Sequence, residues 1–311
     1  MNPCLYLVTG PTAVGKTKLC LRLALELDAE ILSCDSMQLY QGMDIGTAKP
    51  SLEEMATVPH HGIGVFPMDR AASIQMYSKT AAQIVQDITA RGKRVLVTGG
   101  SGFYLKSFLE PVCDEVEIPY EVRSEVARIQ ETSGLPALVE RIHSLNPEGV
   151  GGLDLQNPRR VVRALERCMA SGRTVLELLE EFNSMPEPFP DFEKFTCVLT
   201  RGDDSLKERI QRRTAEMLAN GLVDEVEALM ARGFLDNATG SVSIGYREVV
   251  AHLQGRSDPE LDLAQEINRN TWRLVRRQRK WFRSQLNSYR SVDLDAGRQP
   301  CAAQLFNPSG F

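Results

Sequence analysis

The sequence predicts an α/β fold, a parallel sheet flanked by helices and interrupted by an all-helical insertion. Three observations carry this. A short β-rich run at residues 5–9 leads through a glycine-rich loop into residues 18–27, where Leu19, Leu23 and Leu27 recur at helical spacing. Strand-like and helix-like runs then alternate as far as Gly99 and Gly100, the arrangement that places ligands at the carboxyl ends of parallel strands. From Pro119 to Pro190 only helical patterns occur, separated by Gly, Pro and Asn signals.

Taken in order, strands are expected at 5–9, 30–33, 94–98 and 194–200. Helices are expected at 18–27 and at 73–91, where Ile74, Tyr77, Ala81, Ile84 and Ile88 share one side. The insertion should hold helices at 120–130, 135–145, 157–171 and 174–182. Two long helices, 206–232 and 262–287, should pack on the sheet. The tail after Asp295, with Pro300 and Pro308, should be loosely ordered. The domain organisation is therefore a core formed by 1–118 and 191–311, with the insertion at 119–190.

Composition narrows the function classes. With 311 residues, 42% of them hydrophobic, the chain can bury a sizeable core, yet its longest apolar runs, 5–8 and 95–97, fall far short of a membrane span. Residues 1–9 run straight into the glycine loop and leave no room for a secretory leader, so a cytoplasmic location is expected. The seven cysteines form no C-x-x-C pair, and the four histidines show no metal-ligand spacing. A formal net charge of −5 excludes binding to nucleic acid through overall charge and leaves only a local patch.

The most specific signal is Gly10-Pro11-Thr12-Ala13-Val14-Gly15-Lys16-Thr17, which fits G-x-x-x-x-G-K-S/T between a strand and a helix. This context makes it a phosphate loop and the sheet P-loop NTPase-like. Backbone N–H groups and the helix N-terminus cradle phosphate oxygens, Lys16 supplies a point charge, and the Thr17 hydroxyl is placed to hold Mg²⁺. The loop alone admits a nucleotide, a sugar phosphate or an organic diphosphate.

Asp35 follows the second strand and so sits at the sheet edge beside this loop. A carboxylate there suits Mg²⁺ ligation or proton acceptance from an acceptor substrate, besides the plainer part of a turn aspartate. Ser36, Met37 and Gln38 continue the edge. Seven of residues 269–283 are Arg or Lys, none is acidic, and both tryptophans, Trp272 and Trp281, fall in the same stretch. On a helix Arg276, Lys280 and Arg283 share a face that can meet a polyanion or be merely solvated, while Val275 and Phe282 point to the core. A second cluster, Arg159, Arg160 and Arg163, lies in the insertion, and two cationic patches suit RNA better than a metabolite. One of Arg209, Arg212 and Arg213 could reach back to the phosphate site.

In order along the chain, Gly-Pro-Thr-Ala-Val-Gly-Lys-Thr (10–17), Asp-Ser-Met-Gln-Leu-Tyr (35–40), Gly-Met-Asp-Ile-Gly-Thr-Ala-Lys-Pro (42–50), Gly-Gly-Ser-Gly-Phe-Tyr (99–104), Arg-Ala-Leu-Glu (163–166), Met-Leu-Ala-Asn-Gly-Leu-Val-Asp-Glu-Val (217–226), Ile-Gly-Tyr-Arg-Glu (244–248) and Arg-Arg-Gln-Arg-Lys-Trp-Phe-Arg (276–283) resemble the bacterial tRNA dimethylallyltransferase family, also called tRNA isopentenyltransferases. The resemblance implies transfer of a dimethylallyl group from dimethylallyl diphosphate to N6 of the adenosine 3′-adjacent to the tRNA anticodon. It also implies that Lys16 and Thr17 hold the diphosphate with its Mg²⁺, that Asp35 is the general base, and that Arg213 stabilises the leaving diphosphate. Acceptor contacts are implied for Asp35, Ser36, Met37, Gln38 and Ser101. The anticodon stem-loop is implied to meet Arg159, Arg160, Val161, Val162 and Arg163 in the insertion, and the charge pattern on the last long helix adds Arg276 and Lys280 as expected tRNA contacts. The chain departs from the family's usual residues at Trp272, Lys280, Asn157 and Ser101. One chain holds every motif, so a monomer is expected. A P-loop small-molecule kinase and an adenylate isopentenyltransferase are the alternatives.

Overall fold

The computed structural model describes residues 3–69, 71–258, 260–297 and 300–306. Pro308, named above in the tail, lies outside them. In chain order the elements are β1 (Cys4–Thr9), α1 (Lys16–Leu27), β2 (Ala29–Ser33), α2 (Leu52–Thr57), β3 (His60–His61), α3 (Ile74–Ala90), β4 (Arg94–Gly99) and α4 (Gly102–Lys106). There follow α5 (Tyr120–Leu145), α6 (Pro158–Ser171), α7 (Val175–Ser184), β5 (Glu193–Thr200), α8 (Asp203–Ala219), α9 (Leu222–Met230), α10 (Tyr246–Leu253), α11 (Leu263–Gln285), β6 (Arg290–Asp293) and α12 (Ala302–Phe306). The chain divides into two compact units, Met1–Glu110 with Pro188–Phe311, and Pro111–Glu187.

The first unit is built on one six-stranded sheet in the order β3-β2-β4-β1-β5-β6, with every pairing parallel. Helices cover both faces, so the central strands are apolar at nearly every position. On β1, Leu5 and Leu7 enter one core cluster while Tyr6 and Val8 enter another. Helix α11 is pinned at points along its length, through Ile267, Val275 and Phe282, to three separate clusters. No helix among the described residues is long and apolar enough to cross a membrane.

The second unit packs α5 and α6 around Val126, Leu138, Ile142, Val161 and Leu165. Its two expected helices at 120–130 and 135–145 run together as α5, broken at Gly134, which adopts φ 70°. Asn157, one of the departures from the family's usual residues, caps α6 by accepting from the Arg160 N–H.

The expected helix at 206–232 is two helices. Asn220 ends α8, and Gly221, at φ 91°, turns the chain into α9, a left-handed conformation that glycine adopts without the cost a side chain would incur. Past α11, β6 adds an unexpected strand beside β5, and in the tail after Asp295, where loose order was expected, α12 buries Ala302, Leu305 and Phe306, with the Phe306 ring 4.8 Å from that of Tyr6. Local composition hid this order, which comes from apolar contacts distant in sequence. The histidine pair forms the edge strand β3, where His60 Nδ1 meets the Val58 carbonyl and His61 Nε2 meets the Glu30 carboxylate.

Candidate active site

The sheet fixes the site by fixing where its strands stop. β1, β2 and β4 end at Thr9, Ser33 and Gly99, and the three loops that leave them converge on one cavity of about 800 Å³. Thr12, Ala13, Gly15, Lys16 and Thr17 form one wall, Asp35, Ser36, Met37 and Gln38 a second, and Gly100, Ser101 and Gly102 a third. Segment 46–48, Arg213 on α8, Tyr246 on α10 and the face of α11 bearing Thr271, Leu274, Arg277, Gln278 and Trp281 close the rest. Gly10, Pro11 and Val14 stand behind the loop. A Cβ on Gly10 would come 2.6 Å from the Leu199 carbonyl, and Val14 is fully buried in the core.

Three arginines grip consecutive residues of the phosphate loop from one side. Arg201 Nε donates to the Val14 carbonyl (2.9 Å), Arg209 Nε to the Ala13 carbonyl (2.6 Å), and Arg213 to the Thr12 hydroxyl (3.0 Å). Between these contacts Ala13 adopts φ 63°, a left-handed conformation uncommon for a residue with a side chain. The one reaching arginine expected from spacing is thus two, with Arg201 a third that spacing did not mark. Arg212 instead lies exposed, 3.9 Å from Glu216.

Lys16 Nζ donates to the carbonyls of Gly10 (2.9 Å) and Pro11 (3.0 Å). Burial pushes its pKa down to about 8, with the Asp35 charge pulling it back up and Arg213 pushing it further down. Burial likewise lowers the pKa of Arg213, opposed by Asp35. The cavity therefore brings together two half-buried cations, with Asp35 as the anion acting on both.

The second wall is ordered by its own hydrogen bonds. Asp35 Oδ1 accepts from the Met37 N–H (3.0 Å), and Ser101 Oγ lies 3.0 Å from both the Ser36 N–H and the Ser36 hydroxyl. Serine at position 101 thus keeps the hydroxyl contact to segment 35–38. Gln38 accepts from Ser33 Oγ (3.0 Å) and donates to the Ala48 carbonyl (3.3 Å).

A divalent ion fits these donors. Thr17 and Asp35 offer a hydroxyl and a carboxylate on the same cavity, both hard oxygen donors. No group of three or more His, Cys, Asp or Glu able to hold a metal occurs among the described residues, and Mg²⁺ commonly takes only one or two protein ligands beside substrate and water oxygens.

The expected cationic residues fall in different places. On α11, Arg276, Lys280 and Arg283 are exposed and outside the cavity lining, whereas Arg277 and Gln278 line it. The spacing Thr271, Leu274, Gln278, Trp281 marks that lining face, a pattern masked in the sequence by the surrounding arginines. Trp272 lies between Lys207 and Arg279, whose charges sit 5.4 and 5.8 Å from the ring centre. In the second unit Arg159, Arg160 and Arg163 are exposed on α6, with Arg163 3.1 Å from Glu166. The Val161 side chain is fully buried in the unit's core and Val162 packs against the same cluster, so in this segment it is the arginine side chains that are exposed.

The family model described as IPP transferase matches residues 38–285. A tRNA dimethylallyltransferase of Opitutus terrae is 51% identical over 292 residues, spanning 94% of each chain. The tRNA dimethylallyltransferase 1 of Pelobacter propionicus is 39% identical over 280 residues, 90% of this chain and 89% of that one. Among solved structures, a tRNA delta(2)-isopentenylpyrophosphate transferase of Staphylococcus epidermidis matches with a TM-score of 0.66 at 30% identity, covering 96% of this chain and 95% of that chain. A eukaryotic dimethylallyltransferase acting on tRNA shares the fold, with a TM-score of 0.80 at 23% identity over 94% of this chain and 74% of that one.

Proposed function

The chain belongs to the IPP transferase family, and from that premise we propose that it transfers a dimethylallyl group from dimethylallyl diphosphate to N6 of the adenosine 3′-adjacent to the anticodon of tRNA, releasing diphosphate. The observation that carries this reading is the meeting of the phosphate loop, Asp35 and Arg213 on one cavity, which Ser36, Gln38 and Ser101 also line. The same observation supports action as a monomer, and a tRNA substrate argues for a cytoplasmic location.

The residue types suit each demand of the reaction. The lone pair of adenine N6 is delocalised into the ring, so the amine is a weak nucleophile and needs a base as its bond to carbon forms. Asp35 accepts that N6 proton. As the new C–N bond forms, the bond between the prenyl carbon and diphosphate oxygen breaks, and its electron pair leaves with diphosphate. Lys16 and Arg213, both cations on the lining of the cavity, stabilise the negative charge that grows on the leaving diphosphate. Thr17 is the residue that would hold Mg²⁺, which when bound would supply further neutralisation of the leaving group. The target base must leave its stack to reach Asp35, and the exposed cations Arg159, Arg160, Arg163, Arg276 and Lys280 provide phosphate contacts that hold the RNA while it does.

Incubation with dimethylallyl diphosphate, Mg²⁺ and unmodified tRNA, followed by mass analysis of the nucleosides, tests the proposal. It predicts prenylated adenosine and one diphosphate released per tRNA modified. Turnover of ATP with the tRNA left unmodified would instead make the protein a P-loop kinase, and prenylation of free adenylate alone would make it an adenylate isopentenyltransferase.

A further inference from the structure

On the reading that Arg213 meets the leaving diphosphate, we propose that Glu225 is a positioning residue for the transfer step, acting through the loop 43–48 on Arg213. Glu225 lies on α9, outside the cavity lining. Its carboxylate accepts from three consecutive backbone N–H groups, Asp44 (3.0 Å), Ile45 (2.7 Å) and Gly46 (3.2 Å), and from the Tyr246 hydroxyl (2.6 Å). Three successive N–H groups turned to one point form a nest of positive partial charge, and a side-chain carboxylate fills this one. Hydrogen bonds to a charged acceptor are roughly twice as strong as neutral ones, so this single side chain sets the loop's conformation.

The loop has little freedom left. Thr47 Oγ1 donates to the Met43 carbonyl (2.7 Å), Ala48 sits at φ 47°, and Gly46 lies so close to the buried Tyr246 ring that a Cβ would overlap it. What the loop presents to the site is the Thr47 carbonyl, which accepts from Arg213 Nη2 (3.3 Å). Nη1 of the same guanidinium donates to Thr12 in the phosphate loop (3.0 Å). Arg213 is therefore stretched between two acceptors, one on each loop, and Glu225 sets the position of one of them. Without Glu225 three N–H groups lose their acceptor, the Thr47 carbonyl is held less closely, and the long, half-buried Arg213 side chain regains rotamers that leave its charge off the developing anion.

A double-mutant cycle on single-turnover rates separates this from a general structural role. Glu225→Ala should lower the transfer rate about 10- to 100-fold in the wild-type background, the scale of a small misplacement of a charged group, with tRNA affinity within about twofold of wild type. In an Arg213→Ala background the same change should cost less than about threefold, because the group through which it acts is gone. Glu225→Gln, which keeps one acceptor oxygen but turns an amide N–H₂ toward the nest, should fall between wild type and Glu225→Ala. If Glu225→Ala does not fold, Tyr246→Phe removes one bond to the same carboxylate and serves in the same cycle. Equal costs with and without Arg213, or no cost at all, would overturn the proposal while leaving the transferase reading intact. Absence of transfer by the wild-type protein would overturn both.

Discussion

Gln278 ties the phosphate loop to the opposite wall of the cavity: its Oε1 accepts from the Thr12 N–H at 2.9 Å, and its Nε2 donates to the Gly100 carbonyl at 2.8 Å. One amide on α11 thus spans the loop that meets the donor and the segment, ending in Ser101, that orders the acceptor side. Gln278→Ala should raise the KM for dimethylallyl diphosphate and lower kcat together, by about tenfold in kcat/KM, as expected when a group that positions the substrate is removed. Steady-state kinetics with wild-type values for both constants would remove Gln278 from the site's framework.

If the loop holds diphosphate as proposed, the depressed pKa of Lys16 predicts that this binding depends on pH. Protonated Lys16 attracts the ligand, and its pKa of about 8 means that this charge fades as pH rises through that value. Affinity for inorganic diphosphate should therefore fall about tenfold between pH 7 and pH 9, with proton uptake on binding at the higher pH. Folding stability moves the opposite way. The folded value lies below the ordinary lysine value of 10.5, so the unfolded chain binds more protons between about 8 and 10.5 and stability rises with pH there. Calorimetry in buffers of different ionisation enthalpy checks the uptake, and Lys16→Arg should abolish the pH dependence near 8.

Gly102 opens α4 beside Trp281, where a Cβ would overlap the indole ring. Gly102→Ala should destabilise the fold by about 1 to 3 kcal/mol, the usual cost of overpacking, and lower activity because Trp281 lines the cavity. A thermal unfolding midpoint equal to that of wild type would show that the ring can yield.

Much of this was legible from sequence because the signals are local. The phosphate loop, the alternating strands and the order of Asp35, Ser36 and Gln38 after β2 all follow from spacing. Arg277 and Gln278 were hidden because seven cations within fifteen residues blur the helical period that separates a cavity face from a solvent face. Glu225 appeared only inside the 217–226 motif, with no role attached, and Arg201 gave no signal, since each acts on backbone groups more than 170 residues away. The break at Gly221 and the docking of α12 were missed for related reasons: a single left-handed glycine splits an otherwise helical pattern, and burial of Phe306 depends on Tyr6 and Phe195.

The two cationic faces of α11 should separate in experiment. Charge reversal at Arg276 and Lys280 should weaken tRNA binding and flatten its salt dependence by roughly 0.7 to 0.9 in log slope for each phosphate no longer neutralised. Arg277→Ala should lower the transfer rate more than Arg276→Ala does, because only Arg277 lines the cavity. Equal rate effects of the two alanine variants would show that the lining position of Arg277 carries no weight.

Asp35 is the group on which the proposed chemistry depends most, and the single-turnover rate of prenyl transfer by Asp35→Ala, measured with saturating dimethylallyl diphosphate and tRNA, tests it directly. The predicted result is a rate lower by about 10² to 10⁴ with tRNA affinity largely unchanged, the range for loss of a general base. Transfer at the wild-type rate would contradict it.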